Sequence, residues 1–112
     1  MIYELREYVA HDHTTDRVHD RFQKATIPLF ERHGLELMGF WVDAGDPRRI
    51  VYLLRFEDEQ AQRRAWEGFQ KDPEWKDAKQ TSETDGPIVA EMSSRNLLEV
   101  PYWPSSDTGG TR

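Results

Sequence analysis

Apolar positions recurring with period two mark four segments of the chain as strands, and positions recurring near every 3.6 residues mark the stretches between them as helices. Ile2 to Val9 forms the first strand, with Tyr3, Leu5, Glu7 and Val9 on one face and Ile2, Glu4, Arg6 and Tyr8 on the other. A polar connection, His11-Asp12-His13, follows, and Thr14 or Thr15 then caps a helix whose Val18, Phe22, Ala25 and Leu29 share a stripe. Pro28 predicts a kink or a separate last turn in that helix, and His33-Gly34 supplies a terminal cation and a left-handed cap. The second strand is expected over Leu35 to Val42, with Leu37, Gly39 and Trp41 opposed to Met38, Phe40 and Val42. Turn residues from Asp43 to Pro47 lead into a third strand, Ile50 to Phe56, apolar on both faces and therefore central. Asp58 caps a second helix carrying Ala61, Ala65, Trp66 and Phe69, and Asp72-Pro73 starts a further short helix with Trp75 and Ala78. Ile88 to Val100 makes the last strand region, with an interruption expected at Ser93-Ser94.

The order β-α-β-β-α-(α)-β predicts an α+β fold, a ferredoxin-like protomer with one antiparallel sheet and its helices on a single face. Strands one to three carry large apolar residues on both faces, so the face without helices needs a cover. In so short a chain the natural cover is the same face of a second copy, which predicts a homodimer. Residues 1–104 are expected to form the domain, and the small, polar stretch 105–112 a mobile tail.

Composition sharpens this picture by exclusion. The 112 residues leave room for one domain, and although only 37% are hydrophobic, 12% are aromatic, too many rings for a disordered chain. Fifteen Lys and Arg against 21 Asp and Glu give a net charge of -6 without a basic stripe, which argues against a nucleic-acid partner. Without cysteine there is no disulfide framework, thiolate metal site or thiol nucleophile. No apolar run approaches the ~20 residues of a membrane span, and MIYELREYV lacks the succession of a secretory leader, so a cytoplasmic protein with no membrane partner is expected.

MIYELREY at the start, HGLELMGFW at 33–41, IVYLLRFED at 50–58, DPEW at 72–75 and NLLEVPYWP at 96–104 together resemble NIPSNAP-type domains of the dimeric α/β barrel superfamily, in order and spacing and over roughly residues 1–104. The resemblance implies a ferredoxin-like protomer whose sheet pairs with that of a second subunit into a barrel enclosing a cavity of small-molecule size. The wider superfamily includes cofactor-independent monooxygenases, polyketide cyclases, isomerases, lyases and haem enzymes, so fold membership does not by itself settle activity.

Candidate chemistry concentrates on the strands. Arg6 and Tyr8 share a face with Glu4, and Arg55 stands on the strand that neighbours the first. Inside a barrel, a guanidinium suits a carboxylate and a phenol can donate to a developing enolate. The plainer reading is that Glu4 and Arg6 pair with Arg55, Glu91 or Arg95 across the sheet or at a dimer interface, because buried charges need partners. His11 and His13, after the strand bearing Tyr8, are placed to move a proton at the cavity mouth. His11, Asp12, His13, Asp16 and His19 can also be drawn as a metal site, but a solvated loop gives that drawing little support and no metal is expected. His33 reads as a cap-region cation. Trp66 and Trp75 fall on helical stripes and read as core, whereas Trp41, at a strand end near Tyr52 and Phe40, is the pocket candidate, and Tyr102-Trp103 can cover a partner subunit. A Gly-x-Ser-x-Gly elbow, a phosphate loop and a dinucleotide fingerprint are all lacking, so no cofactor is expected.

These readings combine into a homodimer that binds a small organic molecule in each cavity and acts on it without a cofactor by isomerisation, cyclisation or oxygenation. Arg6 or Arg55 anchors an anionic group, Tyr8 polarises a carbonyl, His11 or His13 moves the proton, and Trp41 with Tyr52 packs the apolar part. The alternative is a non-catalytic interaction module in which the same rings and charges serve dimerisation alone.

Overall fold

The computed structural model describes residues 1–103; the expected tail, 105–112, lies outside the described residues. Four strands, β1 (Ile2–Ala10), β2 (Glu36–Asp43), β3 (Asp46–Phe56) and β4 (Val89–Leu97), form one antiparallel sheet in the order β2-β3-β1-β4. This is the ferredoxin-like arrangement that the element order implies. Between β1 and β2 run α1 (Thr15–Arg21), a π-helical segment (Phe22–Thr26) and α2 (Ile27–His33); between β3 and β4 run α3 (Glu59–Lys71) and α4 (Pro73–Ser82).

The pairing register assigns every strand side chain to a face. Ile2 opposes Phe56, Glu4 opposes Leu54, Arg6 opposes Tyr52 and Tyr8 opposes Ile50. These residues face the helices, where Val18, Phe22, Leu29, Phe30, Ala65 and Phe69 meet Ile50, Tyr52, Leu54 and Phe56 in one core. On the other face Leu5 opposes Leu53 and Glu7 opposes Val51, all half-buried, with no helix of the described residues packed over them.

The structure resolves four local details of the sequence pattern. Pro28 stands in the first turn of a separate last segment, α2, the second of the two outcomes its position predicts. Its ring conflicts with the carbonyl four residues back and it lacks an N–H, so the preceding turn widens and the Ile27 N–H reaches the Phe22 carbonyl five residues away. Thr14 occupies the N-cap of α1, but its hydroxyl lies 2.8 Å from the carbonyls of both His11 and Ile88, tying the loop to the start of β4. In β2 a bulge between Leu37 and Gly39 brings Leu37 to the same face as Phe40 and Val42, and leaves Gly39 and Trp41 on the open face. The Trp41 ring lies over Gly39 so closely that a Cβ there would stand 2.3 Å from it. Ser93 and Ser94 do not interrupt β4; they pair with Glu7 and Arg6 within a continuous strand.

The caps read from the sequence form as expected at two further helices. Asp58 Oδ1 accepts from the Ala61 N–H at 2.7 Å, and Asp72 Oδ1 accepts from the Glu74 N–H at 2.9 Å with Pro73 opening α4. Asp72 also joins α2 to α4, its Oδ2 lying 2.6 Å from His33 Nε2 and 3.1 Å from Arg32 Nη1. His33 and the Glu74 N–H, with Arg32, hold the Asp72 carboxyl below the usual carboxylate range. A depressed carboxyl contributes stability that is fully present above its unfolded value of 3.8 and is lost as pH falls below it. Asp72→Ala is therefore expected to lower the melting temperature at pH 7 and to lose less stability than the parent protein on going from pH 5 to pH 3. Parallel melting curves of parent and variant on acidification would remove Asp72 from that account.

Candidate functional site

Period-two geometry places Glu4, Arg6 and Tyr8 side by side on the helix-covered face of β1, and Tyr52 joins them from β3. The sheet faces the helices here, so charge must be neutralised internally. The buried Arg6 guanidinium donates from Nε to Tyr52 Oη at 2.8 Å, from Nη1 to Glu4 Oε2 at 2.7 Å and from Nη2 to Tyr8 Oη at 3.1 Å. Its Cζ lies over the Trp66 ring, 4.4 Å from the centroid. Glu4 is satisfied from the far side, where Oε1 accepts from Trp66 Nε1 and Gln62 Nε2, both at 2.8 Å. Burial works against the Arg6 charge, but the oxygens of Tyr8, Tyr52 and Glu4 outweigh it and hold its pKa above the ordinary arginine value. Burial likewise pushes the Tyr52 phenol upward, with Tyr8 adding to the rise and Arg6 opposing it, so Tyr52 stays a neutral donor.

Tyr8 stands at the outer end of this chain. Its oxygen receives two hydrogen bonds, from Arg6 Nη2 at 3.1 Å and from Tyr52 Oη at 3.2 Å, which leaves its own proton to be given outward. Outward lies a cavity of about 540 Å³ between β1, β4 and the helices, lined by Arg6, Tyr8, Arg21, Trp66, Phe69, Trp75 and the residues around them. That volume falls within the range that holds a small organic molecule.

The predicted residues therefore divide. Arg6, Tyr8 and Tyr52 come together at one wall. Arg55 opposes Tyr3, one residue out of phase with Arg6, and so projects to the open face, where it donates to Glu36 at 3.0 and 2.6 Å. Trp41 also lies on the open face and is 54% exposed, separated by the sheet from Tyr52, which is stacked on Phe40 within the core. His11 and His13 are exposed on the loop after β1, His13 with φ of 66°, and neither belongs to the cavity lining. Among the described residues no group of three or more histidines or carboxylates is placed to hold a metal ion. None of the helices there is long and apolar enough to cross a membrane.

Trp66 and Trp75, read from the sequence as core, pack against the core with one side and line the cavity with the other. Arg21 was hidden from sequence reasoning because α1 presents it as one of several charged helix positions. Packing of α1 against α4 buries it, with Nη1 3.1 Å from Ser82 Oγ and 3.5 Å from Glu83 Oε2, and places its guanidinium 5.2 Å from the centroid of Trp75.

Sequence comparison matches the NIPSNAP family over residues 3–104. The chain belongs to the NIPSNAP family. Among curated proteins none matches. Solved structures agree with the assignment. An uncharacterized NIPSNAP-like domain protein from Burkholderia xenovorans is 22% identical with a TM-score of 0.79, the match covering 93% of this chain and 89% of that one. A NIPSNAP family protein from Agrobacterium tumefaciens is 14% identical at a TM-score of 0.80, covering 92% and 96%. More distantly, an antibiotic biosynthesis monooxygenase is 14% identical at 0.61, covering 90% of this NIPSNAP domain and all of that chain. At these identities the likeness is one of fold.

Proposed function

We propose that this NIPSNAP domain works as a homodimer that binds a small organic molecule in the cavity between its sheet and its helices, and that it polarises a carbonyl or enolate oxygen of that molecule without a cofactor. The observation that carries this reading is the Tyr8 hydroxyl, which accepts from Arg6 and Tyr52 and is thereby aimed at the cavity. In this reading Tyr8 donates to the ligand oxygen, Arg6 and Tyr52 stabilise the charge that gathers on Tyr8 as it does so, and Trp66 and Phe69 exclude water from the contact. Oxygenation, the chemistry named for the monooxygenase of similar fold, is one outcome such a site supports; isomerisation and cyclisation are others. His11 and His13, outside the lining, are given no step. The homodimer is supported by Leu5, Leu53, Val51 and Trp41 on the face without helices.

A panel of carbonyl-containing metabolites screened by thermal shift tests this. A cavity ligand at 100 times its dissociation constant adds about 2.7 kcal/mol of stability. At least one compound is expected to stabilise the parent protein, and Tyr8→Phe to weaken that response, read as the shift from the variant's own unliganded melting curve, which itself falls because Arg6 Nη2 and Tyr52 Oη lose their acceptor. A panel without any response, on a chain that light scattering shows to be dimeric, would overturn the ligand reading in favour of the interaction module. A folded monomer at micromolar concentration would overturn the dimer.

A further inference from the structure

The cavity has a second end, and its make-up specifies the class of ligand. Trp66, Phe69 and Trp75 together form a stepped aromatic wall, Trp66 meeting Phe69 edge-to-face at 5.6 Å and 88°, and Phe69 lying tilted by 34° to Trp75 at 4.7 Å. A guanidinium lies over each end of it, Arg6 over Trp66 and Arg21 over Trp75. The two arginines are not equivalent. Arg6 spends its donors on Glu4, Tyr52 and Tyr8, whereas both polar contacts of Arg21 fall on Nη1, and its Nε and Nη2 are left without a protein acceptor among the described residues. The Arg21 side chain is nonetheless only 6% exposed. Lys76 and Lys79, one turn apart on α4, add two further cations to a lining whose single carboxylate among the described residues is Glu83. This surplus of positive charge stands in a chain of net charge -6, so it is local to the cavity.

We propose that the ligand of this cavity is an aromatic carboxylic acid, its ring laid on the Trp66-Phe69-Trp75 wall and its carboxylate held by the free edge of Arg21 with Lys76 and Lys79 around it. Guanidinium and carboxylate form a two-pronged, charge-assisted pair, and a flat ring gains more from an aromatic wall than an aliphatic chain does. The assignment rests on the ligand-binding reading above and adds to it which end of the cavity is read and by what charge.

Isothermal titration of the full chain with 2-naphthoate and with 2-naphthamide, its uncharged isostere, separates the two ideas. The acid is expected to bind about tenfold or more tightly than the amide at low ionic strength, and salt to narrow the gap. Arg21→Gln is expected to remove the gap, the acid losing about tenfold more affinity than the amide. The paired exposed-site variant Lys76→Gln with Lys79→Gln, whose folding is not at risk, should narrow it by roughly two- to fivefold. Equal affinity of the parent protein for acid and amide, or an equal loss of both in Arg21→Gln, overturns the assignment. Failure of both probes, when an uncharged member of the metabolite panel does bind, overturns it and leaves the cavity reading intact. Failure of both probes and of the whole panel removes the two together.

Discussion

Arg6→Met is expected to cost about 3–5 kcal/mol of folding stability, the usual loss when one partner of a buried ion pair is removed. Glu4 remains beneath Trp66 with a side chain only 5% exposed, and the Gln62 and Trp66 donors do not neutralise its charge. Tyr52 and Tyr8 lose the donor that aligns them, and Trp66 loses the cation on its face. In a domain of this size such a loss lowers the melting temperature by upwards of roughly 10 °C. The diagnostic comparison is the double variant Glu4→Gln with Arg6→Met, in which no charge is stranded. Urea unfolding should show it to be more stable than Arg6→Met alone. A double variant as unstable as the single one would mean that packing, and not the uncompensated carboxylate, sets the cost.

The second large effect is expected at Tyr52, where two substitutions divide ring from hydroxyl. Tyr52 is fully buried, stacked on Phe40 at 5.4 Å and meeting Phe22 and Phe30 at 5.5 and 5.9 Å. Tyr52→Ala leaves a void among those rings and is expected to cost about 3–5 kcal/mol. Tyr52→Phe keeps the ring but leaves Arg6 Nε without its acceptor, for about 1–3 kcal/mol. Burial raises the folded pKa of this phenol above its unfolded value of 10.0, so its contribution is fully present below that value and is lost as pH rises above it. Parent stability should therefore fall above pH 10, and Tyr52→Phe should flatten that fall. If phenylalanine at this position is as costly as alanine, the hydroxyl network and not the ring cluster dominates.

Both predictions concern residues whose alternation was legible from the start. The period-two pattern of Ile2 to Val9 and Ile50 to Phe56 placed Glu4, Arg6 and Tyr8 on one face and Tyr52 on a shared strand face, because a strand allows its side chains only two directions. The same regularity carried the helices, since Asp58, Asp72-Pro73 and Gly34 are local signals read by adjacent backbone. Alternation fails where the backbone departs from its period. The bulge at Leu37 to Gly39 transferred Leu37 to the other face, and nothing short of the pairing with β3 reveals an extra residue in one strand.

The candidate site was only half legible for a related reason. Chemistry borne by a single strand, as at Arg6 and Tyr8, shows in the sequence; chemistry assembled between elements does not. Arg21 on α1 and Trp75 on α4 are far apart along the chain, and each taken alone resembles an ordinary helix charge or core ring. Conversely, His11 and His13 attract attention by residue type, yet the loop that carries them is held to Ile88 by its backbone and leaves both rings in solvent.

By itself, then, the sequence determined the order and kind of the elements and the ferredoxin-like class, because these follow from periodicities and turn residues that act over a few positions, and it pointed to the family through a resemblance in the order and spacing of its motifs. Tertiary structure alone decided which strand face the helices cover, that Arg6 and Arg55 lie on opposite sides of the sheet, and that the rings of α3 and α4 wall a cavity with a guanidinium at each end. Those outcomes depend on strand register and on helix packing across the sheet, where contacts join residues distant in the chain and no local pattern encodes the partner.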